Sequence, residues 1–306
     1  MTTVHFEAVA CPLCGSDKGN PLFEWRNTRM VRCHGCSLVY RNPRQKASDI
    51  HEAYAGNQTS LELEERVGNR RRHQFGRFLD SLPERPGRLL DIGCGYGFFL
   101  KLAAERGWEA VGVDPNPQGI AYAKERLHVN ALLGDLKDVH FPDGSFDLVT
   151  LWNVLDHSLE PLDILLEIHR VLKEDGYIFI RTPNAGWNYL SFRLTNFLSR
   201  VGLGKVFEER PFATFIFHLS NFSRPTLRLL FDHSGFIPIS IRNSPPIPGD
   251  PYLGLGPTGE RLVALGKRGV HGVAQVLALL SGGRWLIGPS LEAWGRRVKN
   301  PQTAKG

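Results

Sequence analysis

From residue 88 onward, short apolar runs alternate with amphipathic stretches of helical period. "RLLDI" (88–92) follows the breakers Pro86 and Gly87 and predicts a strand buried on both faces. The stretch after it, closed by Gly107, carries apolar residues at helical spacing. "EAVGVD" (109–114) predicts a second strand, "GIAYAKERL" (119–127) a second helix, and "ALLGD" (131–135) a third strand. After the turn "PDGS" (142–145), "FDLVTLWNVLDH" (146–157) predicts a fourth strand. A helix over "PLDILLEIHRVLKEDG" (161–176), closed by Gly176, and a fifth strand over "YIFIRTPN" (177–184) follow. Strands alternating with helices predict an α/β fold with a doubly wound parallel sheet. Ligands of such sheets sit at the carboxyl ends of the strands. That rule singles out Asp91 to Gly97, Asp114, Asp135 and Asn153 to His157.

The flanking regions are patterned differently. Residues 47–80 are predicted helical, with Ser48 as an N-cap and apolar residues at helical spacing in "ELEERVGNRRRHQFGRFLDSL" (62–82). Residues 185–225 are rich in aromatics and predict a cap over an acceptor, with Tyr189 and His218 as secondary site candidates. Aromatic stripes are equally at home in a core. A proline- and glycine-rich loop begins a helical insertion over about 245–285, where "ERLVALGKRGVHGVAQVLALLSGG" (260–283) carries apolar residues at helical spacing interrupted by glycines. "PSLEAWGRRVKNP" (289–301) is the candidate last strand.

Composition narrows the class. A chain of 306 residues, 42% hydrophobic and 22% charged, suits one large domain plus a small one. "MTTVHFEAVA" lacks the basic and apolar regions of a secretory leader, and no apolar run approaches the ~18 residues of a membrane span. The expectation is a cytoplasmic protein with reduced cysteines. Net charge is +6, and all of it falls after residue 266, where seven basic residues face one acid. Residues 1–266 sum to zero, which argues against a body that holds nucleic acid by bulk charge. The basic segment is either a solvated face or a patch for phosphate, nucleic acid or anionic lipid. Residues 270–300 could make peripheral membrane contact, and a helix lying on the sheet edge is the alternative.

Four of the five cysteines follow C-x2-C-x18-C-x2-C: Cys11, Cys14, Cys33 and Cys36. That spacing fits a structural zinc site, each pair forming a tight turn that aims two thiolates at one point. Such a closed set leaves no position for water and is not hydrolytic. Residues 1–45 therefore read as a small N-terminal zinc ribbon and residues 46–306 as the main domain; His34 is a bystander. Cys94 is the odd cysteine and reads as a small buried residue.

The loop after the first strand reads D-x-G-x-G-x-G: Asp91, Gly93, Gly95 and Gly97. Phe98 stands where a dinucleotide fingerprint would have its third glycine. Glycines let the backbone press against a ligand. Asp91 would repel a pyrophosphate but suits a cationic amine. Asp114 can accept from both ribose hydroxyls, and Asp135 with the backbone beside Leu136 can take an adenine amino group. Asn153, at the end of strand four, completes the expected cofactor-binding set. Amine, ribose and adenine together describe S-adenosylmethionine. A plain βα turn for the glycines, and helix capping for Asp114 and Asp135, are the alternatives position by position.

With these residues in place, the sequence resembles the class I S-adenosylmethionine-dependent methyltransferases over about residues 50–300. "LLDIGCGYG" matches the family's first motif and "VGVDPN" its second. "GDLKDVHFPDGSFDLVTLWNVLDH" matches the segment through strand four, and "IHRVLKEDGYIFIRTPN" the segment closing on strand five. The resemblance implies a Rossmann-like sheet of seven strands with the last antiparallel. It also implies that the three glycines line the methionine part, Asp114 the ribose and Asp135 the adenine. His157 is the candidate general base, with Asp156 beside it, although "LDH" resembles an "LEH" that many such enzymes carry whatever their acceptor. Related quinone-biosynthesis O-methyltransferases use carboxylates near this point for a metal; here Asn153 stands where a carboxylate would help. The expected reaction is methylation, at oxygen, of a small-molecule or glycan acceptor, lipid-linked acceptors included. Methyltransferases with an N-terminal four-cysteine module resemble enzymes of sugar and surface-polysaccharide pathways. The alternative is an RNA methyltransferase using the ribbon as a clamp. A third reading, a degenerate domain that only binds a partner, is opposed by the intact glycine and aspartate set.

Overall fold

The structure is a computed structural model that describes residues 5–25, 28–49, 61–82, 86–198, 200, 218–247 and 257–298. The expected helix over 50–60, the Phe-rich stretch 212–217 of the cap and the proline–glycine loop 248–256 lie outside the described residues.

The N-terminal part consists of β1 (Phe6–Glu7), β2 (Gly19–Trp25), β3 (Thr28–Cys33), β4 (Val39–Arg41) and β5 (Arg44–Gln45). A helix α1 (Leu61–Asp80) leads into the main sheet. Then come β6 (Arg88–Ile92), α2 (Phe98–Glu105), β7 (Glu109–Asp114), α3 (Pro117–Glu125), β8 (Asn130–Leu133), α4 (Leu136–Val139) and β9 (Phe146–Trp152). The second half holds α5 (Pro161–Val171), β10 (Leu172–Pro183), α6 (Ala185–Leu198), β11 (Ser220–Asn221), α7 (Arg224–His233), β12 (Phe236–Asn243), α8 (Pro257–Leu280) and β13 (Ser290–Arg297).

Seven strands form one sheet in the order β12-β13-β10-β9-β6-β7-β8. β8, β7, β6, β9 and β10 are parallel, and β13 runs antiparallel between β10 and β12. The chain steps outward from β6 to β8, then returns to the other side of β6 at β9. That reversal opens a crevice at the carboxyl ends of β6 and β9, where doubly wound sheets hold their ligands.

Two helical layers bury the sheet. On one face α1 presents Phe75 and Phe78 to Phe99, Trp152, Phe179 and Trp294, with ring centroids 4.4–5.8 Å apart. α1 reaches this position because Gly68 leaves room for the Phe98 ring; a Cβ there would stand 2.4 Å from it. Helices α5 and α7 cover the other face through Leu165, Ile168, Leu227, Leu230 and Phe231.

Two predicted boundaries move. The helix ending the fourth crossover stops at Val171, and Gly176 lies inside β10 rather than at a helix end. There the β10–β9 register shifts, Asp175 takes φ +64°, and a Cβ on Gly176 would meet the Lys173 carbonyl at 2.9 Å. The glycine thus marks a bulge. The fourth strand ends at Trp152, because Asn153 turns left-handed (φ +59°) and Leu155–His157 form one 3-10 turn.

The ribbon is not a separate ball. β4 pairs with β3 on one side and with β11 on the other, so a strand from the second half of the chain completes its sheet. The Leu219 amide donates to the Asp156 carbonyl, and the Leu219 carbonyl accepts from the Arg41 amide, both at 2.8 Å. Leu13, Leu38 and Tyr40 lie in one buried cluster with Leu155 and Phe222.

Candidate active site

The crevice is walled by the β6–α2 loop. Gly93 takes φ +69°, and a Cβ on it would stand 2.4 Å from a methyl of Val154, so this glycine serves the packing of loop on turn. Gly95 is different. It also has positive φ (+51°), but a Cβ there would meet nothing within 4 Å. Open space beside backbone at this position lets a ligand press against the loop. Gly97 (φ +79°) is the N-cap of α2. Cys94 is buried, and burial raises its thiol well above the ordinary range.

Asp114, at the end of β7, accepts from the Gly95 amide and the Asn116 amide, each at 2.8 Å. It does not cap α3; Asn116 does, accepting from the Gln118 and Gly119 amides. Two amide donors leave half the acceptor capacity of a carboxylate for ribose hydroxyls. Burial outweighs those donors and holds its carboxyl above the usual range. Asp135 is exposed and stands at the N-cap of α4, its own amide bonded to Asp138, with Leu136 buried beside it. Capping is therefore part of what Asp135 does, and its exposed carboxylate can also accept from an amino group.

Asp91 is 2% exposed and accepts from the Thr150 hydroxyl at 2.6 Å. Burial pushes its carboxyl up to about 8, with Asp114 adding to the rise and Thr150 opposing it. No cation is near enough to compensate it among the described residues, and a ligand ammonium would fit that deficit. These residues thus fit S-adenosylmethionine, which would rest on the glycine loop with Asp91, Asp114 and Asp135 along its length.

Across the crevice, the turn after β9 carries the titratable cluster. Asn153 points into the protein: its side-chain oxygen accepts from Arg181 at 2.5 Å. Arg181, buried at the end of β10, also bonds the hydroxyls of Ser244 and Ser290. Burial lowers its guanidinium to about 10. Asp156 is fully buried, and its Oδ2 lies 3.3 Å from the Nε2 atoms of both His157 and His218. The histidine rings meet edge to face at 5.1 Å. His157 keeps 35% of its side chain exposed, whereas burial lowers His218 to about 4 and keeps it neutral. The Thr182 hydroxyl approaches the other Asp156 oxygen at 3.4 Å. Tyr189 is placed elsewhere, against the ribbon: it packs with Phe23, Met30 and Val39, and Arg32 lies 5.6 Å from its ring.

Two contributors, Thr150 and Arg181, carry no mark in the sequence analysis. Thr150 and Arg181 lie inside apolar strands, and the available signal was a polar residue interrupting the apolar runs of "FDLVTLW" and "YIFIRTPN". Asp156 was seen as a neighbour of His157, but nothing in the sequence placed His218 on its far side.

In the ribbon, the Cys11–Cys36 and Cys14–Cys33 sulfurs are 3.5 Å apart, and all four lie within 4.8 Å of one another. Zn–S bonds of about 2.3 Å place tetrahedral sulfurs about 3.8 Å apart, so the set fits zinc. His34 is exposed and outside this cluster.

Two outcomes follow from the donor side. Asp114→Ala lowers S-adenosylmethionine affinity by about tenfold or more, the cost of leaving two hydroxyls unpaired; calorimetry checks it, and unchanged affinity overturns the assignment. Because Asp91 retains a proton in the free protein up to pH ~8 and an unfolded aspartate does not, its contribution to stability is lost as pH rises from ~4 to ~8, while His218, held neutral, contributes in the opposite sense below pH ~6.5. A donor ammonium seated against Asp91 would expel that proton. Affinity therefore rises about tenfold per pH unit below pH 8, and Asp91→Asn abolishes the dependence. Calorimetry in buffers of different ionisation enthalpy reads the proton directly.

The likeness to known proteins agrees with this geometry. A family model described as a methyltransferase domain matches residues 66–241, more than half of the chain. Ubiquinone biosynthesis O-methyltransferase of Pseudomonas aeruginosa is 29% identical over 113 residues, 34% of this chain and 49% of that protein. Malonyl-[acyl-carrier protein] O-methyltransferase of Serratia marcescens is 30% identical over 147 residues, 47% of this chain and 55% of that protein. The chain thus spans about half the length of these curated relatives. A structure of geranyl diphosphate methyltransferase in complex with SAM superposes with a TM-score of 0.51 at 16% identity, covering 81% of this chain and 95% of that one; it shows the shared fold. With a matching family model, the seven-stranded sheet and the glycine–aspartate crevice in agreement, the chain belongs to the methyltransferase-domain family and is a class I S-adenosylmethionine-dependent methyltransferase.

Proposed function

We propose that the protein methylates an oxygen atom of a small-molecule or glycan acceptor, lipid-linked acceptors included, with His157 as general base. The observation that carries this reading is the buried Asp156 carboxylate, 3.3 Å from both histidines. A buried carboxylate favours the tautomer with its proton on Nε2 and leaves His157 Nδ1 as the acceptor of a proton. His218, held neutral by burial, makes no competing ion pair and acts on the far side as a positioning residue. S-adenosylmethionine, when bound, supplies an electrophilic methyl group on a sulfonium. The chain's own work is to align a hydroxyl, take its proton at His157 and exclude water. The ligand atoms of Asp156, His157 and His218 lie close enough to accept a metal ion as well. Asn153 does not extend such a set, because Arg181 holds its oxygen.

Charge placement supports this acceptor class over RNA. Of the C-terminal basic residues, Arg296 pairs with Asp175 and Arg297 bonds the Leu172 and Arg170 carbonyls, at the end of β10 away from the crevice. The four cysteines are read as a structural zinc site that shapes one wall of the acceptor pocket, since β4 holds β11 and β11 follows directly on His218.

The deciding experiment is methyl transfer from radiolabelled S-adenosylmethionine into cell extract separated into RNA, glycan, lipid and small-molecule fractions. Label in a glycan, lipid or small-molecule fraction supports the proposal, and label in RNA replaces it with the clamp reading. On the acceptor so identified, His157→Ala slows turnover by about 100-fold with donor affinity unchanged; full activity removes His157 as base. Chelation exposes residues 11–40 to hydrogen exchange and abolishes turnover while donor binding stays largely intact. Retained turnover overturns the wall, and lost donor binding overturns the separation of the two sites.

A further inference from the structure

Helix α8 is apolar on two opposite faces. One face docks on the domain with small side chains: Ala274 is fully buried, Ala278 is 9% exposed, and the Asn243 amide donates to the Ala274 carbonyl at 3.1 Å. The other face points away. At 100° per residue, Leu262, Val273 and Leu280 share one line, with Leu265, Val276 and Leu279 alongside it. These six are 54–80% exposed. Gly266, Gly269 and Gly272 fall on the same outward face, and a Cβ on any of them would meet nothing within 4 Å. Trp285, 61% exposed, continues the apolar surface past the end of the helix. Isolated exposed leucines need no explanation, but a stripe along about five turns marks an interaction surface.

Charge identifies the occupant. Arg261 and Arg268, both exposed and seven residues apart, lie on one edge of the stripe, and exposed Arg284 stands beside Trp285. Glu260 is the only acid between residues 257 and 285. A second copy of this face would bring like charges together. A lipid surface would not: apolar stripe, basic edge and terminal tryptophan are the three features of helices that lie in a bilayer interface. We propose that α8 and Trp285 seat the protein on membranes bearing anionic phospholipid, with the stripe at the headgroup–acyl boundary. No helix among the described residues is long and apolar enough to cross a membrane, so this contact is peripheral. The helix is tethered through Asn243 at the carboxyl end of β12, the same edge of the sheet that carries the active crevice.

Sedimentation of the full chain with vesicles tests this. The probes are phosphatidylglycerol–phosphatidylcholine vesicles and vesicles of phosphatidylcholine alone, at low and high salt. The expected result is binding to the anionic vesicles, weakened by salt. Arg261→Gln and Arg268→Gln each weaken it about fivefold, and Leu279→Glu with Leu280→Glu abolishes it. Donor affinity reports that each variant is folded; if the leucine pair is not, the arginine pair still decides. Protein that stays in the supernatant, binding indifferent to these substitutions, or equal binding to phosphatidylcholine overturns the proposal. So does a dimer in solution that the leucine variant splits while vesicles bind neither form. No acceptor enters this assay, so its failure is separate from failure of the methyl-transfer reading.

Discussion

The backbone of one residue ties the N-terminal sheet to the turn after β9. Leu219 receives the Arg41 amide from the ribbon and donates its own amide to the Asp156 carbonyl. Through those two bonds a cysteine-held sheet of modest size is fastened to the turn that carries the candidate base. Such a small sheet cannot bury enough apolar surface to fold by itself. Here it shares the core of the large domain, with Leu38 and Tyr40 buried in the same cluster as Leu155 and Phe222. His218 lies one residue before the junction and Asp156 is bonded to it. The geometry of the acid–base group and the integrity of the ribbon are therefore the same constraint seen from two sides.

The crevice gathers carboxyl groups out of water. Asp91, Asp114 and Asp156 are all buried or largely so, and each is compensated differently. Asp114 has backbone amides, Asp156 has two imidazoles, and Asp91 has one hydroxyl. The least compensated is the one a cationic ligand would meet. Arg181 supplies the opposite charge from behind, fixed by Asn153, Ser244 and Ser290 on three different segments. An arginine so held rigidifies the ends of β9, β10, β12 and β13 together.

The order of strands and the glycine–aspartate loop were readable because period and spacing are local properties, and the four cysteines because metal spacing is local too. Boundaries were less so. Gly176 has the look of a helix stop, but its role in a bulge depends on the pairing of β10 with β9. The His157 turn was taken for strand because its apolar run continues, while the left-handed Asn153 that breaks it is held by Arg181, 28 residues away. The meeting of His218 with Asp156 spans a longer separation still, and the pairing of β11 with β4 joins residues about 180 apart. The exposed stripe of α8 was legible as apolar periodicity; which face was covered was not, since docking through alanines leaves no strong mark in the sequence.

The bridge between Asn184 and Phe222, with the Ala185 amide bonded to the Phe222 carbonyl, pins both ends of the acceptor-side stretch at one point. A chain segment closed at its base pays little for added length: doubling it costs only about 0.6 kcal/mol in closure entropy. Added length there leaves the parallel strands in place, whereas Tyr189, His218 and Leu219 within it are held by the ribbon and by Asp156.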